Sequence, residues 1–288
     1  MSGATAIEPP RLQLLREALT RTVRTWSSAL LVAGVILLLV VVAPFFAPYG
    51  SEEVIQGKQL VGPSGDHLFG TDINQMDVFS RVLAGFRLDV GIAFAAAAAS
   101  LALGFPLGIL LGFFSGRLVT GALRLLDMVQ AFPVLILALA IVVLAGNSVL
   151  NVILAGIFVA TPIMIRVVRS VAVTLREERF VEAGVATGNS DSRLIVRHIA
   201  PHALPTALIE ALIILSGTII LVTGLSFIGA GVRPPTAEWG SMVSLGSRDI
   251  VNGEWWTVVF PGLAIALSVF MFNLLGQLLR RQFGSHLH

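Results

Sequence analysis

The sequence predicts an all-α membrane protein, and three observations carry that prediction. Of 288 residues, 56% are hydrophobic and only 12% are charged, against about 25% charged in an average soluble domain. The mean hydropathy is +0.89. Stretches free of Asp, Glu, Lys and Arg run from Thr25 to Ser51, Val90 to Gly116, Met128 to Ile165, Ala211 to Val232 and Trp255 to Leu279. Each can supply the roughly 20 apolar residues that a helix needs to cross a bilayer. Between them the Lys and Arg residues alternate in density, as they do when successive loops fall on opposite sides of a membrane. Cysteine is absent, which excludes disulfides, thiolate metal sites and cysteine nucleophiles. The isoelectric point near 9.9 accompanies a net charge of only +2, and no basic cluster is interleaved with aromatics, so nucleic acid is not an expected partner.

The elements follow in chain order. Residues 1–26 form a cytoplasmic tail, of which Met1–Pro10 reads as disordered. The first span, 27–47, follows several arginines, but its apolar run is longer than a signal-peptide core. Pro44 and Pro48 also stand where small residues would mark a cleavage site, so it is a retained helix. An external segment completes a first unit over 27–87. The second span covers 88–113, and its AAAAAS run, Ala95 to Ser100, suits close helix packing. The window from Met128 to Ile165 would make a helix of about 57 Å, too long for one crossing. Gly146-Asn147-Ser148 divides it as a turn, giving spans at 122–145 and 149–170. Spans at 206–230 and 257–279 complete six.

With the N-terminus inside, the four arginines Arg11 to Arg24 join Arg117, Arg124, Arg166, Arg169, Arg176, Arg179, Arg193, Arg197, Arg280 and Arg281 on the cytoplasmic side. Lys58, Arg81, Arg87, Arg233 and Arg248 remain outside. Both termini are therefore cytoplasmic.

One polar segment stands out, FVEAGVATGNSDSRLIVRHIAPHALP, from Phe180 to Pro205. A short helix is expected to end at Gly188, the residue type suited to a left-handed cap. Asn189, Ser190 and Asp191 offer N-caps for a second helix to about His198, with Pro201 and Pro205 limiting its continuation. Two readings stand: a solvated linker on the membrane surface, or a docking element for a partner.

The segment resembles the "EAA" loop of permease subunits in binding-protein-dependent ABC importers. Glu182, Ala183 and Gly188 match that pattern, Gly184 stands where it prefers Ala, and Ile199-Ala200-Pro201 fits its close. Outside the loop, HLFGTDINQMDVFSRVLAGFRLDV from His67, LSFIGAGV with PPTAEWG from Leu225, and FPGLAIALSVFMFNLLGQLLR from Phe260 are similar to the C-type permeases of the dipeptide/oligopeptide/nickel family. The likeness covers most of residues 25–282. Three departures are present: Gln75-Met76 replace Gly-Arg before Asp77, Gln277 replaces Asp after Gly276, and the acidic tail after Arg280 is missing.

The resemblance implies a type I ABC importer permease fold of six transmembrane helices, with a core over 88–282, a cytoplasmic coupling-helix loop at 176–205 and a tail at 283–288. It places the chain, multi-pass, in the cytoplasmic (inner) membrane of a prokaryote, surrounded by lipid. The implied partners are a homologous second permease, two ATP-binding subunits carrying ATP and Mg, and an extracytoplasmic substrate-binding protein. The implied function is import of di- or oligopeptides by alternating access, with nickel or metal-chelate import by the same machinery as the alternative. Roles in coupling to the ATPase are implied for Glu182, Ala183, Gly184, Gly188 and Arg193, with Gly188 conformational rather than contacting.

The residues themselves add the following. Gly57-Lys58 lacks the spacing of a phosphate-binding loop, so the chain needs no cofactor of its own and a partner must hydrolyse ATP. Glu182 either contacts that partner or complements a helix N-terminus. Gln130, Glu210, Thr223, Ser226 and Asn273 are polar residues of the spans that either line a passage or bond neighbouring helices. His198 and His202 are four apart, but Pro201 between them argues against a metal site. Trp255 and Trp256 read as an aromatic belt. Pro234, Pro235 and Trp239 form an external turn that, by resemblance, faces the substrate-binding protein. A secondary transporter or an intramembrane enzyme are the rivals, but neither inverted repeats nor a His-Glu-x-x-His or Gly-x-Ser-x-Gly motif is visible.

Overall fold

The structure, a computed structural model, describes residues 30–283. The expected N-terminal tail, residues 27–29 of the first expected span and the histidines His286 and His288 lie outside the described residues. The described chain is helical throughout its regular elements, with one isolated bridge between Thr71 and Asp77.

The first helix, α1 (Leu30–Val42), ends in a widened turn over Leu38–Val42 and passes into a tight turn at Ala43–Phe46. The second, α2 (Val78–Phe113), begins earlier than the expected 88 and has 36 residues, about 54 Å at 1.5 Å per residue. Its start is set by Asp77, whose carboxylate accepts the Ser80 N–H at 2.8 Å and the Ser80 hydroxyl at 2.7 Å, an N-cap.

The expected third span, 122–145, is corrected to two helices, α3 (Arg117–Gln130) and α4 (Val134–Ala145), which meet at 87°. Pro133 lacks an N–H and pushes Phe132 out of helical geometry. No residue of α3 is fully buried, so little packing opposes a bend between the pair.

The fourth span, α5 (Val149–Arg176), continues past the expected 170. A short helix follows, α6 (Arg179–Ala186). The expected stop near His198 does not occur: α7 runs unbroken from Asp191 to Phe227. A widened turn at Ile195–Ile199 precedes Pro201, which enters in the first residues of the regular helix that begins at Ala200. There its missing N–H interrupts no α-type ladder. Two further helices are α8 (Trp239–Gly246) and α9 (Trp256–Phe283).

By length and composition α2, α5, α7 and α9 can each cross a membrane, and the bent α3–α4 pair supplies a fifth candidate; α1, as far as it is described, is shorter. The core lies among α2, α5, α7 and α9, with Phe86, Met164, Leu194, Ile219 and Phe272 in one buried cluster. The helices α2 and α5 approach one another closely along a row of glycines. Gly104, Gly108 and Gly112 face Met164, Val168 and Ala172, and a Cβ on each glycine would fall 2.6–2.7 Å from those side chains. Small residues every fourth position let two backbones meet.

At the end opposite α6, the segments preceding α2 and flanking α8 form a cap. Fully buried Arg81 donates from Nη1 to Ser51 O at 2.8 Å and Pro235 O at 3.0 Å. Its Nε lies 3.5 Å from Asp72 Oδ2, an ion pair without hydrogen-bond alignment. Buried His67 reaches Asp77 at 3.0 Å, and Trp256 donates to Thr71 O at 3.1 Å.

Candidate functional site

The polar segment folds as an elbow. After α5 ends at Arg176, Glu178 takes the extended N-cap position of α6. The helix closes with the Gly188 N–H bonded to Val185 O at 2.9 Å and the Asn189 N–H to Gly184 O at 3.1 Å. This double closure requires a left-handed residue one position past the cap, and Gly188 has φ +80. Ser190 occupies the N-cap of α7, but its hydroxyl meets Ser192 Oγ at 3.2 Å rather than a backbone N–H.

One face of α6 is used internally. Val181 and Gly184 are buried, against Leu194 and Ile199 of α7. Gly184 makes this approach close: a Cβ there would stand 2.7 Å from Leu194 Cδ2, and the end of the leucine side chain would have to shift to admit it. The other face is open: Glu182, Ala183, Val185 and Ala186 are exposed, Val185 by 60%. Arg193 is exposed too, donating to Asn189 Oδ1 at 3.3 Å. Beside this face Phe113, Phe114, Arg176, Glu182 and Asp191 border a cleft between the elbow and the end of α2. The Glu182 carboxylate has no hydrogen bond or ion pair among the described residues. The arrangement therefore offers a carboxylate and a small apolar patch on a helix whose ends are fixed.

Fixation has a mechanical consequence. Because α7 is continuous from Asp191 to Phe227, a displacement of α6 is delivered through the buried Gly184–Leu194 contact into a helix that runs the length of the bundle. A flexible proline linker at 201–205 would have absorbed it.

The five polar residues of the spans are not brought together. Glu210 is half-buried and lines a groove among α4, α5 and α7, which none of the other four lines. Gln130 ends α3 with its Nε2 buried and unpartnered. The Thr223 hydroxyl donates to Ile219 O at 2.8 Å, Ser226 Oγ accepts the Val232 N–H at 3.3 Å, and Asn273 donates to Val269 O at 2.9 Å. Those three bond within their own chain, which is the packing alternative for them.

At the cap, Pro234 and Pro235 are exposed, whereas Trp239 is 0% exposed. Its placement does not meet the expectation that it faces a partner: the indole N–H donates to Val82 O at 3.0 Å, and Phe86 packs edge-on against its ring. Sequence reasoning also missed two carboxylates. Glu238 caps α8, accepting from Gly240 N at 2.9 Å and Ser241 N at 2.6 Å. Asp89 accepts the Trp239 N–H at 3.0 Å. Both are fully buried. Burial raises the Glu238 carboxyl above its ordinary range, and the two backbone N–H groups pull it partly back. The signal was available in the quoted PPTAEWG, where an acidic residue precedes a helix.

Residues 104–287 match the family described as binding-protein-dependent transport system inner membrane component. The dipeptide transport system permease protein DppC of Alkalihalophilus pseudofirmus is 36% identical, over 85% of this chain and 80% of its own length. The glutathione transport system permease protein GsiD of Escherichia coli is 35% identical, over 95% and 91%. The probable D,D-dipeptide transport system permease protein DdpC of Escherichia coli is 34% identical, over 89% and 85%. With the family match over most of the chain, an all-helical bundle and an elbow between two long apolar helices, this chain belongs to the inner-membrane permease subunits of binding-protein-dependent ABC importers.

Proposed function

We propose that this chain is one half of the passage through which an ATP-driven importer moves peptides inward across the cytoplasmic membrane. Its relatives' names, dipeptide, glutathione and D,D-dipeptide permeases, support peptide as the substrate class. A homologous permease subunit forms the other half. Two ATP-binding subunits, carrying ATP and Mg, sit on the cytoplasmic side, and an extracytoplasmic binding protein delivers the substrate. Both termini and the elbow are cytoplasmic, and Pro234 and Pro235 are the receptor-facing surface. Gln130, Glu210, Thr223, Ser226 and Asn273 are the candidates for the passage, with Glu210 foremost.

The observation that carries the reading is the open face of α6 fused to an unbroken α7. Closure of the ATP-binding pair would draw two such elbows together and tilt the attached spans, and hydrolysis would release them. Ala183, Gly184, Gly188 and Arg193 shape the elbow, and Glu182 makes its charged contact. Turning an equilibrium from about 1:99 to about 99:1 takes about 5.5 kcal/mol of differential binding. One charged hydrogen bond contributes about 1.5–3 kcal/mol, so Glu182 alone does not suffice and the apolar patch at Val185 and Ala186 must add to it.

The test is docking of the purified ATP-binding subunits to reconstituted permease. Replacing Glu182 by Ala is expected to weaken that docking roughly 10- to 100-fold, the equivalent of about 1.5–3 kcal/mol. Unchanged docking would remove the Glu182 carboxylate from the coupling contact, and unchanged docking with Val185 replaced by Asp as well would remove the elbow.

A further inference from the structure

We propose that Glu210 is a transient binding site for the ammonium group of a basic side chain of the peptide in transit. This rests on the peptide reading above.

Glu210 is the charged residue in a groove of about 240 Å³ whose other walls are Val134 of α4, Gly156, Val159 and Ile163 of α5, and Ile213 and Gly217 of α7, among others. The neighbouring polar lining group, Thr218, already donates its hydroxyl to Ile214 O at 2.8 Å. That leaves the Glu210 carboxylate as the unengaged polar group of the groove. It makes no hydrogen bond or ion pair among the described residues. Arg280 on the last turns of α9 is the basic residue whose charge reaches it, without forming an ion pair within 4 Å. An ionisable group on a helix apolar and long enough to span a membrane, bonded to no other group, points to a function.

The shape supports the same assignment. Glu210, Ile213, Gly217 and Leu221 recur along one face of α7, the spacing of a single helical stripe. A Cβ on Gly217 would meet nothing within 4 Å, so the stripe borders open space rather than a packed neighbour. The groove holds a small cationic end but not a folded chain. Half-exposure keeps the attraction weak through screening by water, and a passage must bind its cargo weakly enough to release it. Charge complementarity therefore selects a positively charged occupant, and aliphatic walls tolerate any side chain beside it.

The experiment uses the complete importer in proteoliposomes, its receptor saturated in turn with Ala-Lys-Ala and Ala-Asp-Ala. The readout is the ratio of the two import rates, which cancels differences in protein folding and reconstitution. With the native residue the lysine peptide is expected to be favoured. Glu210→Gln is expected to lower the ratio about tenfold, and Glu210→Asp to keep most of it. An unchanged ratio in Glu210→Gln would overturn the inference, and an unchanged ratio with both peptides slowed is the result expected if Glu210 instead pairs with a basic residue of the second permease. Failure of the native importer to move either peptide would overturn the peptide reading and this inference together.

Discussion

The two ends of the bundle treat their polar residues in opposite ways. In the cap, Arg81, Asp72, His67, Asp77, Asp89 and Glu238 are engaged by groups of the same chain, several of them distant in sequence, and five of the six are buried. In the elbow, Glu182 and Arg193 stand exposed, and the hydrogen bonds are local ones that close α6 and start α7. Buried polar groups satisfied internally rigidify a fold. Exposed ones on a fixed helix leave a surface for something else. The cap therefore holds α2 and α8 together, whereas the elbow leaves an open face, the one on which the proposed coupling rests.

The largest break in this contrast should come from Arg81→Ala. Removing one partner from a buried ion pair typically costs 3–5 kcal/mol, and here two carbonyls and Asp72 would be abandoned together. A marked fall in the thermal unfolding midpoint of the detergent-solubilised protein is expected. An unchanged midpoint would mean that the cap is not held by its buried charge.

Gly188→Val should act at the other end with less effect on stability. A β-branched residue at φ +80 costs about 1–2 kcal/mol, confined to the closure of α6. Insertion and subunit assembly are expected to survive while ATP hydrolysis proceeds without matching transport. Fully coupled transport in vesicles would show that the elbow's angle does not matter.

The smallest effect sharpens the comparison inside the cap. Gln75 occupies the position where related permeases carry Gly, and it adopts φ +63. Its Oε1 compensates by accepting the Gly57 N–H at 2.7 Å. Gln75→Gly should relieve about 1–2 kcal/mol of backbone strain. It also loses a hydrogen bond worth about 0.5–1.5 kcal/mol and adds unfolded-chain entropy, so the net change in unfolding free energy is expected to stay within about 1 kcal/mol. A loss above 2 kcal/mol would make the side chain, rather than the turn, the element that organises this loop.

The prolines show how far the sequence could be read. Charge-free windows located the long apolar helices because crossing a bilayer demands length and apolarity together. They could not say where a helix bends. Pro201 and Pro205 looked like stops, yet α7 passes through both after a widened turn. Pro133 went unremarked within a continuous apolar window, yet α3 and α4 part there at 87°. The difference is context: the turn before Pro201 resets the hydrogen-bond register, whereas α3 has no fully buried residue to oppose a break. The elbow was legible for the opposite reason, since a glycine at a helix end and the polar residues after it act locally. The groove around Glu210 was not legible, because its walls come from three helices and only their packing leaves the gap.

The glycine row on α2 has a bearing on how the chain is made. Gly104, Gly108 and Gly112 find their nearest counterparts on α5, a helix synthesised after both α3 and α4. The glycine stripe of α2 can meet its counterpart only once α5 has been made, so this pairing forms after α3 and α4 rather than in the order of translation.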